Sequence, residues 1–319
     1  MELRHLRYFV AVAEEGSFNR AAERLHIQQP PLGQQIRDLE YELGVALFDR
    51  NPRRVTLNEA GQLFLTDARD ILDRAGRAVT NVQRFDKGET GKLSVGFTSS
   101  ASFHFMAPEV LRRFRADYPA AEIEVAESET YELILGLDQG RLDVAFLHIG
   151  AEGFPALCSE VLSQEDMLVA IPRDHPLAAE PSVPLALKML NGVDFVVYRR
   201  PDGPGIFDGV MDVLKRNSIS PNTVDTVSRI IAAINLVAGG RGVTMVPASM
   251  NVLHKEAVVY RRVVQGDLKP LPLYAISRKD NRLAIVRNFL SIIRRLKFAE
   301  LELINPGLPD GAPRSDRSV

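Results

Sequence analysis

The sequence predicts three successive regions: an all-α domain with a small β ribbon over residues 1–58, one long helix over 59–86, and an α/β region over 93–300. Three observations predict this order. Apolar residues recur at helical spacing in three short segments before residue 44, one apolar stripe runs without proline through residues 59–86, and strand-like and helix-like segments alternate from residue 93. The polar, glycine-bearing residues 87–92 predict a hinge.

Length and composition are those of an ordinary multidomain protein. The 319 residues, 45% of them hydrophobic, can form two or three sizeable cores, and the net charge of −2 does not by itself indicate a nucleic-acid binder. No apolar run approaches a bilayer span and the N-terminus lacks a secretory segment, so we expect a cytoplasmic protein without a membrane partner. Cys158 is the one cysteine, which excludes an internal disulfide and a thiolate zinc cage, and we expect neither metal nor cofactor.

Residues 16–43 predict two helices that meet at a tight turn. Gly16 can take the left-handed conformation past the end of the first helix, and Ser17 is a good N-cap for the second. Pro30 and Pro31 fit the first turn of a third helix. Because its apolar residues fall at steps of four, three and four, one face of this helix is buried and the other presents Gln29, Gln34, Gln35, Arg37 and Asp38.

Amide and arginine side chains at the exposed start of a helix that follows a short turn are typical of proteins that read base edges in the major groove. Residues 47–55 predict a ribbon, or wing, whose arginines would meet phosphates. The alternative is a pair of ordinary packed helices with a solvated polar face. The candidate DNA-binding residues are Ser17, Gln28, Gln29, Pro30, Pro31, Gln34, Gln35, Arg37, Arg50, Arg53 and Arg54.

This stretch resembles the winged helix-turn-helix signature of LysR-type transcriptional regulators. The residues that carry the resemblance are Gly16-Ser17-Phe18, Ala21-Ala22, Leu25, Gln29-Pro30, Gln35-Ile36, Leu39-Glu40, Leu43-Gly44, Leu47-Phe48 and Arg50. Gly33 and Gln34 depart from it, since the family usually has Ser and often a basic residue there. The resemblance implies double-stranded operator half-sites as partner, a homodimer that pairs as a tetramer, and RNA polymerase as a further candidate partner.

The resemblance extends from Leu3 to about Lys297. In the C-terminal region it rests on Gly140-Arg141-Leu142-Asp143, His175-Pro176-Leu177 and Gly240-Arg241-Gly242-Val243. It implies an effector domain like a periplasmic binding protein, with one lobe at 93–163 plus 268–300, the other at 164–267, and a ligand held between them.

The long helix predicted at 59–86 carries an apolar seam at steps of three and four, which favours packing against a partner helix. The alternative is that the seam packs on its own chain, whereas the resemblance implies a dimer arm. The candidate dimerisation residues are Phe64, Ala68, Ile71, Ala75, Val79 and Val82.

The α/β region divides into two sets of strands. Segments at 93–97, 123–125 and 143–147 with helices between them predict a parallel sheet. A second set at 167–171, 195–198 and 243–246, with helices at 185–190, 206–217 and 228–238, predicts a second sheet of similar size. A strand at 274–276 and a helix at 283–296 follow, and the Pro-, Gly- and Ser-rich residues 301–319 predict a disordered tail.

Hydroxyl-bearing residues follow the first of these strands, where ligands of open α/β sheets bind and where a helix N-terminus favours anions. We therefore expect a small organic carboxylate as effector, with His148 or Arg200 as its counter-charge. The alternatives are that the hydroxyls only cap the helix, that His148 is structural, and that the two arginines are solvated. The candidate effector-binding residues are Thr98, Ser99, Ser100, Ala101, Ser102, Thr130, His148, Arg199, Arg200 and Ser228.

The sequence contains no His-Glu-x-x-His, Gly-x-Ser-x-Gly or Walker motif, so we expect a regulator and not an enzyme. The glycine-rich run 239–242 follows a helix and precedes a strand, the reverse of a nucleotide-binding loop. The alternative function is a cytosolic small-molecule-binding protein or enzyme built on a two-lobed α/β domain.

Overall fold

The computed structural model describes the backbone of residues 1–51, 54–199, 205–264 and 266–304, and the side chains of these residues except 50, 51, 54 and 298–304. The chain divides into two compact units, residues 1–84 and residues 85–319. The first unit holds the predicted helix-turn-helix, and the second holds the α/β region.

The first unit consists of helices α1 (Leu3–Glu15), α2 (Phe18–Arg24) and α3 (Gln29–Leu43), a hairpin of β1 (Phe48–Asn51) and β2 (Arg54–Leu57), and most of α4 (Glu59–Asp86). Gly16 ends α1 in the left-handed conformation, and the Ser17 hydroxyl accepts a hydrogen bond from the backbone N–H of Arg20. Phe9 lies at the centre of the core, with its ring 5.4 Å from that of Phe48. The prediction of a helical domain with a small β wing is confirmed.

Helix α4 begins after Asn58, whose side-chain oxygen accepts a hydrogen bond from the N–H of Gly61. The ring of Phe64 lies 5.1 Å from that of Phe9, and Ala68 is fully buried in the same core. The prediction that Phe64 and Ala68 face a partner helix is therefore wrong, because the first turns of α4 cover the core of their own unit. Ala75 is half-buried, and the remaining seam residues are exposed: Ile71, Val79 and Val82.

The second unit begins with a five-stranded sheet in the order β4-β3-β5-β12-β6. The central strands β3 (Gly91–Phe97), β4 (Ala121–Glu127) and β5 (Val144–Leu147) are parallel, but β12 (Leu271–Arg278) runs antiparallel to β5 and β6 (Leu157–Glu165). Helices α6 (Met106–Asp117) and α10 (Ala284–Ile304) share one buried cluster with the sheet, and α7 (Thr130–Asp138) shares another. These elements form the first lobe.

The second lobe contains two small sheets and not one sheet of similar size. Strands β10 (Thr244–Pro247), β7 (Met167–Pro172) and β11 (Val258–Arg262) are antiparallel, whereas β8 (Asp194–Tyr198) and β9 (Asn222–Val227) are parallel. A bridge between Phe195 and Val243 connects the two sheets. Helices α8 (Ile206–Arg216) and α9 (Ile230–Ala238) pack on them, and residues 187–190 form a 3-10 helix.

Strands β6, β9 and β11 were not predicted from the sequence. Strands β6 and β9 consist mostly of exposed or half-buried residues, so their sequences carry no continuous apolar run. The apolar run of β11 is short, because the strand ends in Arg261 and Arg262.

Several predicted boundaries differ from those in the structure. Strand β6 ends at Glu165 and β7 begins at Met167, so the first crossing between the lobes lies two residues later than predicted. Residues 91 and 92 begin β3 and leave only 87–90 as a turn, where the Asn288 side chain donates a hydrogen bond to the carbonyl of Lys87. Residues 301–304 of the predicted tail continue α10, and 305–319 lie outside the described residues.

Two glycines inside helices of the first unit should respond oppositely to substitution by alanine. A Cβ at Gly33 would lie 3.6 Å from Arg37 Nη1, an ordinary contact, whereas a Cβ at Gly61 would overlap the backbone oxygen of Leu47. Gly33→Ala should therefore stabilise the unit by about 0.5–1 kcal/mol, since glycine loses more backbone freedom on folding. Gly61→Ala should destabilise it by roughly 1–3 kcal/mol.

Differential scanning calorimetry of the full chain measures both effects, and hydrogen exchange of the α3 amides assigns the transition to the first unit. A lower melting temperature for Gly33→Ala would contradict the assigned packing around α3.

Candidate functional site

The first candidate surface is the exposed N-terminal end of α3. Gln28 precedes the helix, Gln29 is its first residue, and Pro30 and Pro31 follow without breaking the first turn. Gln34 and Arg37 are exposed one and two turns on, and the Gln34 side-chain oxygen accepts a hydrogen bond of 2.7 Å from Arg37 Nη2. Gln34 Nε2 in turn donates to Asp38 Oδ1 at 2.7 Å, so these three side chains form one network.

Gln35, which the sequence also predicts as a DNA-binding residue, does not join this network. It is half-buried, and its side-chain oxygen lies 3.0 Å from His5 Nε2 of α1. The cause is its position on the helix, three residues after Leu32 and four before Leu39, both of which are fully buried. Ser17 is half-buried and caps α2.

The predicted wing is present as the β1–β2 hairpin. Its register pairs Phe48 with Leu57 and Asn51 with Arg54. Arg53 and the side chains of Arg50 and Arg54 lie outside the described residues.

The second candidate site is a cleft of about 460 Å³ between the two lobes of the α/β unit. Its volume suits a small organic molecule. Both lobes contribute apolar walls, which include Leu135, Ile149, Tyr198, Phe207 and Ile230. The cleft brings together most of the predicted effector-binding residues: Thr98, Ser99, Ser100, Thr130, His148, Arg199 and Ser228.

Two predicted residues do not line the cleft, and a third lies outside the described residues. Ala101 is fully buried in the core of the first lobe. Ser102 is exposed elsewhere, and its hydroxyl donates to the carbonyl of Ser99 at 2.7 Å. Arg200 lies outside the described residues.

The hydroxyls after β3 have different partners. Thr98 caps the four-residue helix α5 (Ser99–Ser102), because its hydroxyl accepts a hydrogen bond from the N–H of Ala101 at 3.3 Å. The Ser99 hydroxyl instead donates to Glu127 Oε1 at 2.5 Å. A helix of one turn has little macrodipole, so the expectation that a helix dipole holds an anion here is wrong, and hydroxyls and N–H groups remain as the available donors.

His148 follows β5 and is buried, with its Nδ1 3.1 Å from the carbonyl oxygen of Pro272. A carbonyl only accepts, so Nδ1 carries the proton and Nε2 is the unprotonated nitrogen of the neutral ring. Burial lowers the pKa of His148 to about 4. The ring is therefore neutral at pH 7, and the expectation that it supplies the counter-charge for an anion is wrong.

His148 Nε2 lies 3.6 Å from Glu165 Oε1, beyond hydrogen-bonding distance. Glu165 ends β6 at the crossing between the lobes, and its carboxylate accepts a hydrogen bond of 2.6 Å from the N–H of Ser249 in the second lobe. Burial raises the pKa of this carboxyl. Next to His148, polar groups of Glu165 and Ser249 therefore join the two lobes.

The described lining residues include two arginines, and each faces carboxylates of this chain. Arg199 Nε lies 3.3 Å from Asp208 Oδ1 within the second lobe. Arg229 Nη1 lies 3.7 Å from Glu127 Oε1 in the first lobe. Arg229 also lies 3.9 Å from Glu129 Oε1, so its charge links the two lobes.

Arg229, Glu127 and Glu129 were not among the site residues predicted from the sequence. Arg229 occupies the N-cap position of α9, and Ser228 therefore precedes the helix that it was predicted to open. The signal that could have found Glu127 is its place at the carboxyl end of β4, beside the end of β3 that carries the hydroxyls.

Two kinds of site are absent from the described part of the chain. No group of three or more His, Cys, Asp and Glu residues is placed there to hold a metal ion. Nor does any helix in those ranges have the length and apolar character needed to cross a membrane.

Two family models match the chain. One, described as "Bacterial regulatory helix-turn-helix protein, lysR family", matches residues 3–62, and the other, "LysR substrate binding domain", matches residues 86–297. Together they cover both units.

The chain is also similar to individual transcriptional regulators. The chain is 40% identical over 274 residues to "Uncharacterized HTH-type transcriptional regulator YnfL" of Escherichia coli strain K12, which covers 86% of this chain and 88% of that one. It is 35% identical over 300 residues to "Probable cat1 operon transcriptional activator" of Acinetobacter lwoffii, covering 94% and 97% of the two chains.

The crystal structure of CbnR, a LysR family transcriptional regulator, is similar with a TM-score of 0.81 at 31% identity, covering 92% of this chain and 100% of CbnR. Full-length CbnR complexed with its target DNA gives a TM-score of 0.80 at 31% identity, covering 93% and 100%.

Proposed function

Because the chain belongs to the LysR family of bacterial helix-turn-helix regulators, we propose that it binds operator DNA as a dimer or tetramer and that a small organic carboxylate in the cleft controls this binding. The chain is a transcriptional regulator with an effector-binding domain, and its relatives are regulators, not enzymes. The observation that carries the proposal is the presence, in one chain, of an exposed reading helix and a two-lobed cleft.

The DNA-binding part of the proposal rests on α3. Its exposed end presents Gln29 and Gln34, whose amides can pair with adenine edges, and Arg37, which can contact guanine or phosphate. The three arginines of the wing sequence add sequence-independent affinity for phosphates. That CbnR has been solved with its target DNA supports this assignment.

The two glutamines at positions 29 and 35 allow a matched test of base reading. Gln29→Ala should change base preference at one operator position by roughly 1–3 kcal/mol, because a lost base contact removes discrimination against the wrong base. Gln35→Ala is the control and should leave base preference unchanged, since this side chain is held by His5. Fluorescence anisotropy with substituted duplexes from the DNA upstream of its own gene measures both.

Equal weakening of Gln29→Ala on every duplex would remove Gln29 from the reading surface. A changed preference for Gln35→Ala would mean that the side chain leaves His5 on binding DNA.

The oligomer part of the proposal rests on the exposed half of α4. Val79 and Val82 are 59% and 70% exposed, and Ile71, Leu63 and Phe85 add further exposed apolar surface on the same helix. Single exposed apolar residues are ordinary, but several on one helix mark an interaction surface. We assign this surface, and not Phe64 or Ala68, to a second copy of the chain.

The double substitution Val79→Asp and Val82→Asp should dissociate the dimer into monomers, because a buried unpaired carboxylate costs several kcal/mol. Sedimentation velocity measures the species present. Asn81→Asp, which adds a charge at an exposed polar position of the same helix, is the control and should sediment like the wild type. Intact dimers of the double variant would place the interface elsewhere.

The effector part of the proposal rests on the donors that converge on the cleft. The hydroxyls of Ser99, Ser100, Thr130 and Ser228 can donate to a carboxylate, and Arg199 or Arg229 can supply the counter-charge. Micromolar binding needs about 8 kcal/mol, so apolar contact with the walls must contribute a large share. The effector then controls DNA binding only through a different affinity for two arrangements of the lobes.

Calorimetry of the full chain with benzoate, succinate and muconate tests this assignment. Ser99→Ala and Ser100→Ala should each weaken binding by roughly ten- to a hundredfold, because a hydrogen bond to a charged group contributes about 1.5–3 kcal/mol. Ser102→Ala is the matched control and should bind like the wild type, since this hydroxyl lies outside the cleft. Binding that survives both cleft substitutions, or that occurs only with sugars or cations, would contradict the carboxylate site.

A further inference from the structure

We propose that Glu127 is an internal competitor of the effector. Its carboxylate accepts the hydrogen bond of the Ser99 hydroxyl and faces Arg229, and the carboxylate of the effector must displace it from these two groups. This inference rests on the proposed carboxylate effector and deepens it. It assigns to Glu127 a regulatory role in setting effector affinity.

The geometry places one carboxylate oxygen between donors of both lobes. Glu127 Oε1 accepts a hydrogen bond of 2.5 Å from the Ser99 hydroxyl, and the same oxygen lies 3.7 Å from Arg229 Nη1. Ser99 and Glu127 belong to the first lobe, and Arg229 is the N-cap residue of α9 in the second. Ser99 and Arg229 line the cleft, and Glu127, which is not among the lining residues, contacts both of them from beside it. A carboxylic acid bound in the cleft would therefore compete with Glu127 for the same pair of donors.

Each arginine among the described lining residues already faces a carboxylate of the chain, and Arg229 lies 3.9 Å from Glu129 Oε1 as well as 3.7 Å from Glu127 Oε1. The second lining arginine, Arg199, already faces Asp208 at 3.3 Å. His148 is neutral and buried, so it offers no positive charge. Among the described lining residues, an incoming carboxylate therefore obtains a full counter-charge by taking the place of an internal carboxylate.

Glu127 is suited to leave its position. Its side chain is 53% exposed and lies at the end of an edge strand, so the released carboxylate can be hydrated without unfolding the sheet. The 3.7 Å separation from Arg229 exceeds hydrogen-bonding distance, and ion pairs between exposed groups are weak. The contact can therefore yield to a ligand.

The exchange also connects occupancy with the arrangement of the lobes. The Glu127 and Arg229 charges attract across the lobes, and a bound carboxylate replaces that attraction by its own contacts with both sides. The apparent affinity of the effector is reduced by the fraction of molecules in which Glu127 occupies the site. Removing the Glu127 charge should therefore tighten binding.

The test is calorimetry of full-length Glu127→Gln with benzoate, succinate and muconate. Glutamine keeps the shape and the acceptor oxygen but not the charge. Because an exposed ion pair is weak, we expect the dissociation constant of whichever acid binds to fall by about two- to fivefold. Glu124→Gln is the matched control: it removes the same charge from the same strand, but Glu124 pairs with Lys92 at 2.5 Å, and its affinity should equal that of the wild type.

A second background separates direct competition from a general effect of charge. In Arg229→Gln, Glu127 has only the Ser99 hydroxyl to release, so adding Glu127→Gln should give a smaller gain than it gives in the wild type. An unchanged dissociation constant for Glu127→Gln, a gain shared by Glu124→Gln, or a gain of undiminished size in the Arg229→Gln background would overturn the competitor role and leave the carboxylate site standing. Absence of binding by all three acids in both wild type and Glu127→Gln would overturn the carboxylate site as well.

Discussion

The parallel pairing of β3 with β5 is the constraint on which the effector-binding cleft depends. Both strands are buried, and the rings of Phe97 and Phe146 at their carboxyl ends stack with centroids 4.8 Å apart and planes within 2°. Because parallel strands end at the same edge of a sheet, Thr98 and His148 emerge side by side. Any substitution that shifts this register would move the hydroxyls away from the second lobe.

The electrostatics of the cleft follow from the burial of His148 and from the number of carboxylates that lie near its arginines. Burial keeps His148 neutral, and the exposed arginines each face an acidic group of the chain. Such a site does not attract anions strongly by net charge, so a ligand must offer contacts that improve on the internal contacts of the described residues. Small energy differences of this kind are what effector control of a regulator requires.

The DNA-binding unit obeys a different constraint, which is the small size of its core. Phe9 contacts both the wing and α4, so the reading helix, the hairpin and the first turns of the long helix share one set of buried rings. Tight contacts such as Gly61 against Leu47 hold the long helix close to the wing. The reading surface is consequently rigid in its backbone, and its adaptability lies in the network of Gln34, Arg37 and Asp38.

The sequence by itself determined the features that arise from spacing along the chain: the helix ends at Gly16 and Asn58, the reading helix, the long helix and the central strands. Only the tertiary structure decided which side chains meet. In the folded chain, Gln35 contacts His5, and Phe64 and Ala68 pack in the core of their own unit. His148 is neutral because it is buried, and Glu127 contacts Ser99 and Arg229. Periodicity indicates which face of an element is buried, whereas a contact or a pKa depends on residues far away in sequence. A polar strand such as β9 has no clear apolar pattern, so only its pairing with β8 identifies it as a strand.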